Sequence, residues 1–276
     1  MTRSRLEPFF LESSAGRIFL LLRAPAKARR CVLFVPPFGE EMNKCRRQVT
    51  ETAKALLAGG YAALVVDLFG TGDSDGEFAE ATWSTWKSDI VAAIAWIGAN
   101  GLSLQALVAT RLGCALVAES LRDTGSNVQK TVFWQPVENG RQYMTQFLRF
   151  RVAASMMESD GGETVENLKE RLDRGETLEI AGYPLTPELW RAVEAVDLAA
   201  FIDPCLGQLA IFEVGRAREN ELSIAGRRLA VKAQEQGIES TGRRIPGEPF
   251  WSTTEIVVNP ELTQRTTEYL LADRSS

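Results

Sequence analysis

The residues best placed for chemistry lie where an apolar strand turns sharply into a helix. Leu104–Ala109 (LQALVA) reads as a strand, and Cys114–Leu121 reads as a helix. Only Thr110-Arg111-Leu112-Gly113 separates them. Such a turn throws its central side chain out above the end of a sheet. It needs small residues on either side so that strand and helix can pack closely. Ala109 and Gly113 meet that need, and the central side chain is Arg111. A guanidinium stays protonated and cannot attack a carbonyl. It can instead hold a carboxylate or phosphate by two parallel hydrogen bonds, beside a helix N-terminus that already favours anions. The other reading of Arg111 is an internal salt bridge with Glu40, Glu41, Asp73 or Glu138, because a buried charge needs a partner.

The chain contains no histidine. No mechanism with imidazole as base, acid or metal ligand can run on its own side chains. Cys31, Cys45, Cys114 and Cys205 are scattered without a CxxC pair, so neither a metal site nor a disulfide framework is expected, and they read as reduced thiols. Cys114, one turn beyond Arg111, is a candidate nucleophile if the helix N-terminus lowers its pKa. Its plainer reading is a small core residue. Asp73 and Asp75 are a candidate carboxylate pair, set against two solvated loop acids, and Ser74 reads as a turn former.

These residues need a scaffold, and the elements are legible. Arg17–Leu22 reads as an early antiparallel strand, followed by buried strands at Cys31–Val35, Tyr61–Asp67, Leu104–Ala109, Thr131–Val137 and Leu209–Val214. Helices are expected at Met42–Leu57, Thr82–Ile97 (capped by Thr82 or Ser84), Cys114–Leu121, Glu221–Gln234 and Pro260–Ala272. Ile238–Ile245 reads as a weak last strand. Strands alternating with helices imply a parallel sheet covered on both faces. The alternation breaks between Glu138 and Phe201, where the sequence is helix-like with no convincing strand. That stretch reads as an inserted helical cap over 138–203 on a core of 1–137 and 204–276. Tyr143, Met144, Phe147, Phe150, Met156 and Met157 recur there at helical spacing, as core or as a lining for an acyl chain. Arg141, Arg149 and Arg151 form a basic cluster, read either as a solvated helix face or as a contact for an anionic lipid carrier or sugar phosphate.

Composition bounds the function classes. The 276 residues carry 31 Lys and Arg against 36 Asp and Glu, a net charge of −5, which argues against nucleic acid as a partner. No apolar run reaches membrane-spanning length, and Met1–Glu7 lacks the apolar core of a signal peptide, so a cytoplasmic protein is expected.

Three segments sharpen the reading of the fold. Val35-Pro36-Pro37-Phe38-Gly39-Glu40-Glu41 follows a strand, where serine hydrolases of the α/β-hydrolase fold carry the oxyanion loop. Asp67-Leu68-Phe69-Gly70-Thr71-Gly72-Asp73-Ser74 matches the D-x-x-G-x-G-x-S turn common in that fold. The five residues from Ala109 to Gly113 stand in the place of G-x-S-x-G. With GYPLTPELW (Gly182–Trp190) and GEPFW (Gly247–Trp251), the chain resembles the second type of exosortase-A-associated hydrolase. The resemblance implies an α/β-hydrolase fold and a link to a bacterial system that sorts C-terminally tagged proteins to the surface alongside exopolysaccharide synthesis.

The Ser-His-acid triad of that fold is not expected here. Arg111 takes the nucleophile's place, Pro249-Phe250-Trp251 stands where the histidine should come, and Glu219 or Glu221 is the remaining candidate acid. No catalytic residue, metal or cofactor is assigned. The expected ligand site comprises Arg111, the backbone N–H groups of Leu112 and Phe38 as remnants of an oxyanion hole, Trp251 and Asp73, with Trp190 as a further wall. Its ligand would be an acidic or acylated small molecule. The alternatives are an ester or thioester hydrolase or acyltransferase working without the triad, and a structural partner of the sorting machinery.

Overall fold

A computed structural model describes residues 4–157, 162–215 and 221–272. The strands are β1 (Ser4–Glu12), β2 (Arg17–Pro25), β3 (Arg30–Val35), β4 (Tyr61–Val66), β5 (Ser103–Thr110), β6 (Lys130–Trp134), β7 (Leu178–Ile180), β8 (Tyr183–Leu185), β9 (Gln208–Gly215) and β10 (Ser240–Pro246). The helices are α1 (Glu40–Ala58), α2 (Trp83–Ala99), α3 (Gly113–Thr124), α4 (Gly140–Met157), α5 (Val165–Asp173), α6 (Pro187–Glu194), α7 (Leu198–Phe201), α8 (Ile224–Glu235) and α9 (Pro260–Leu271).

Eight strands form one sheet in the order β1-β2-β4-β3-β5-β6-β9-β10. The β1–β2 and β2–β4 pairs are antiparallel, and every pair from β4 to β10 is parallel. Strand pleating explains how both faces are covered. In β3, Val32 and Phe34 point into a core shared with Cys45 and Leu56 of α1 and Leu262 and Leu270 of α9. Cys31, Leu33 and Val35 point the other way, into a core with Trp86 and Ile90 of α2, Leu116 of α3 and Leu229 of α8. Because both faces are apolar, the central strands carry continuous rather than alternating hydrophobic runs.

The helix starts follow local chemistry. Thr82 caps α2, its hydroxyl accepting from Thr85 N–H at 3.1 Å. Thr186 and Asn259 cap α6 and α9, each followed by a proline preorganised for the first turn.

Between β6 and β9 the chain folds into α4 to α7 and the antiparallel β7–β8 hairpin. The hairpin corrects the strand-free reading of this stretch. Its strands have three residues each and turn at Ala181-Gly182, both at positive φ, which is too short a pattern to stand out as alternation. The buried side chains Met144, Leu168, Ile180 and Trp190 are continuous with the α2–α3 core. The strand read at Thr131–Val137 ends at Trp134, because Gln135 turns to φ 46°. β1 was also missed; its one apolar run, Phe9-Phe10-Leu11, follows a proline and is too short to stand out, and most of its side chains are exposed on the sheet edge. No helix among the described residues is long and apolar enough to cross a membrane.

Candidate functional site: an arginine at the turn above the sheet

β5 ends at Thr110, α3 begins at Gly113, and Arg111 between them has φ 56°. A non-glycine residue in this left-handed region costs of order 1 kcal/mol, so the surroundings must hold it there. Arg111 N–H donates to Trp134 O at 2.9 Å, and Arg111 O accepts from Cys114 N–H at 3.2 Å and Val137 N–H at 3.3 Å. The small neighbours are required. A Cβ on Gly113 would lie 2.3 Å from the carbonyl oxygen of Pro36, and Ala109 is fully buried.

The strained turn delivers the guanidinium to a mostly buried cluster. Arg111 Nε donates to Glu41 Oε1 at 3.1 Å, and Nη1 reaches Gln135 O at 3.4 Å. The guanidinium carbon lies 5.0 Å from the ring of Trp251 and 5.5 Å from that of Tyr143. Tyr143 Oη donates to Glu41 Oε2 at 3.0 Å, so both oxygens of this carboxylate are engaged. Glu41 sits in the first turn of α1, where the helix dipole favours a negative charge. Burial raises its pKa, while Arg111 and Tyr143 hold it back. Burial also opposes the charge on Arg111, and Glu41 and Tyr143, with a smaller part from Cys45, more than restore it. The Tyr143 phenol is pushed well above its ordinary value by burial and by Glu41. Of the four carboxylates weighed as partners, Glu41 is the one that meets Arg111. Glu138 pairs with Arg228 at 2.9 Å.

Arg111 and Glu41 line a cavity of about 550 Å³, within the range of small-molecule sites. Its aromatic wall is Phe38, Tyr143, Phe147, Phe150 and Trp251, with Ala181 of the β7–β8 turn beside them. Lys44 and Glu40 lie on the same wall, 4.0 Å apart. Phe38 fixes the wall to the core by edge contacts with Trp86 (5.9 Å) and Phe147 (5.1 Å).

Three of the expected site residues, Arg111, Phe38 and Trp251, therefore come together. Leu112 does not line this cavity. It meets Phe38 at a separate void of about 10 Å³ against Pro36 and Gly113, room for about one water. Asp73 stands apart and exposed, its N–H donating to Asp67 Oδ2 at 3.1 Å. Trp190 is buried within the insertion and lines none of the cavity.

The remaining candidates resolve as structure. Cys114 is fully buried, its thiol 3.3 Å from Ala109 O and pushed well up by burial, the opposite of an activated thiolate. Asp75 pairs with Arg17 at 2.9 Å, and Ser74 Oγ donates to Asp67 O at 2.7 Å. Arg151 pairs with Glu163 at 2.6 Å, while Arg149 is exposed. Of the two candidate acids, Glu219 lies outside the described residues. Glu221 is exposed, 3.6 Å from Arg227.

Sequence reasoning missed two features. Gln135 holds φ 46° at the end of β6, and its Oε1 accepts from Val214 N–H at 2.7 Å. Glu213 is buried on β9 and accepts from Ser223 N–H and Oγ, both at 2.6 Å, at the start of α8. Glutamate inside an apolar strand (LAIFEV) was the available signal for Glu213.

Known proteins place this architecture. Residues 24–159, just under half of the chain, match the X-Pro dipeptidyl-peptidase (S15 family). No curated protein sequence matches the chain. Among solved structures, Est1E from Butyrivibrio proteoclasticus with ferulic acid bound is 15% identical and aligns with TM-score 0.66, over 95% of this chain and 98% of that one. A proline iminopeptidase-related protein from Thermus thermophilus is 15% identical, with TM-score 0.63 over 97% and 98% of the two chains. A fungal esterase from Rhizomucor miehei is also 15% identical, with TM-score 0.61 over 98% and 84%. The mostly parallel eight-stranded sheet, the helices on its faces and these similarities give the chain the α/β-hydrolase fold.

Proposed function

We propose that this chain is a hydrolase-fold protein without a working Ser-His-acid triad, and that it binds an acidic or acylated small molecule in the cavity at Arg111. The observation that carries the reading is Arg111 itself, at φ 56° on the turn above the sheet and on the wall of an aromatic cavity. Serine hydrolases of this fold hold their nucleophile at that turn and their histidine after the last strand. Here Trp251, from the segment after β10, lies over the arginine, and the chain has no histidine to offer. The stretch 138–203 acts as a cap, with α4 bringing Tyr143, Phe147 and Phe150 to the cavity. Est1E, of similar fold, has been solved with ferulic acid, an aromatic carboxylic acid. The resemblance of PPFGEEMNKCRR, DLFGTGDSDGEF and GEPFW to exosortase-A-associated proteins supports a role beside that sorting and polysaccharide machinery, and four cysteines without a CxxC pair suit a cytoplasmic place for it.

The second reading is an ester or thioester hydrolase or acyltransferase working by other groups. It uses the same cavity of about 550 Å³, which has room for a substrate as well as for a bound ligand. A chain-length series of acyl esters and thioesters, offered to the purified protein and to Arg111→Ala, separates the two. The binding reading expects no turnover above buffer from either protein. Turnover by the native protein that disappears in the variant overturns it.

A further inference from the structure

The charges on the cavity wall select among anions. Two cations, Lys44 and Arg111, face two carboxylates, Glu40 and Glu41, so the lining is formally neutral. Each cation already has a partner: Arg111 has Glu41 at 3.1 Å, and Lys44 has Glu40 at 4.0 Å and Thr254 O at 3.3 Å. The pairing on Arg111 is incomplete in a particular way. Glu41 takes Nε, Gln135 O reaches Nη1 only at 3.4 Å, and no described residue accepts from Nη2. The end of the fork, which matches the two oxygens of a carboxylate, is therefore still available. Tyr143 and Trp251 lie against the guanidinium. Beyond it Phe147 and Phe150, the latter 60% exposed, form an apolar side of the wall, and Gln146 and Ser252–Thr254 form a polar one.

We infer that the cavity takes a monocarboxylate with an apolar body, its two oxygens on the Nη1–Nη2 edge of Arg111 and its body along Phe147 and Phe150. This rests on the binding reading above and adds the charge and the orientation of the ligand. A monoanion leaves the pocket one charge short of neutral. A phosphate monoester dianion leaves it two short, beside Glu41, with no further cation on the wall to offset the second charge.

Isothermal titration with decanoate, cinnamate, decanol and decyl phosphate tests this directly, on the native protein, Arg111→Lys and Phe150→Ala. Lysine keeps a charge for Glu41 but loses the fork. Decanoate or cinnamate should bind. Decanol and decyl phosphate should each bind about tenfold or more weakly than decanoate, from the loss of a charge-assisted pair or the added charge. Arg111→Lys should weaken carboxylate binding by at least about tenfold while leaving decanol unchanged, and Phe150→Ala should weaken all the decyl ligands together. Thermal unfolding of each variant confirms that it is folded. Equal binding of decanol and decanoate, or tighter binding of decyl phosphate, overturns the inference while leaving a binding protein. Failure of both carboxylates to bind overturns it outright, and the ester series then decides the broader reading independently.

Discussion

Arg111 and Glu41 form a pair that neither residue can leave cheaply. Their side chains are 14% and 18% exposed, so removing one strands the other away from water. Breaking a buried pair by deleting one partner typically costs about 3–5 kcal/mol, and this incompletely buried one should fall at about 3 kcal/mol. Arg111→Ala should lower the denaturation midpoint accordingly, and adding Glu41→Gln should recover most of the loss. A double-mutant cycle by urea unfolding gives the coupling directly, and additive effects would contradict the pairing. Asp89 offers a second residue-scale test. It is buried, accepts from Phe69 N–H at 2.8 Å and Ser13 Oγ at 2.5 Å, and its pKa is raised from 3.8 to about 6 by burial. Folding thus disfavours its charged form. Stability from this group is greatest below about pH 4, falls as pH rises through 6, and is constant above; two units correspond to about 3 kcal/mol. Asp89→Asn keeps a bond to each partner and should flatten that slope between pH 4 and 6 in urea midpoints. An unchanged slope would mean that Asp89 does not titrate there.

How much of this the sequence disclosed differs from residue to residue. Arg111 at the turn was legible, because a strand and a helix with only four residues between them, edged by Ala109 and Gly113, leave one geometry. Its partner was only one of four carboxylates, since Glu41 is 70 positions away and meets Arg111 through the placement of β3 beside β5. The Asp73 turn was legible as a turn, but which way its side chain faces depends on Asp67, whose carboxylate draws the backbone N–H and leaves Asp73 in solvent.

At the scale of elements, α4 decides the shape of the cavity. It packs on α6 through Gly140, where a Cβ would lie 1.8 Å from the carbonyl oxygen of Val193. Tyr143 and Phe147 follow one and two turns later on the same helix. Gly140→Ala should force α4 off α6, cost about 1–3 kcal/mol, and weaken carboxylate binding as Tyr143 withdraws from Glu41. Thermal unfolding with ligand titration checks both effects, and native binding affinity in the variant would show that α4 does not position the site. The parallel strands and long helices were readable from their apolar periodicity. β1 and the β7–β8 hairpin were not, because an exposed edge strand and three-residue strands leave no periodic signal.

Taken as a whole molecule, the fold and the site carry separate information. The sheet, its two apolar faces and the turn after β5 are those of the α/β-hydrolase fold, yet a fold does not dictate its chemistry. Under the proposed function no serine of the chain is activated, because arginine stands at the turn and no imidazole occurs in the sequence. Fluorophosphonate probes bond covalently to the activated serine of a triad, so intact-mass spectrometry after labelling reads the claim in one step. An unmodified mass is expected at probe concentrations that fully label a serine esterase run in parallel. A stoichiometric adduct on any serine of the folded protein, absent after denaturation, would contradict it.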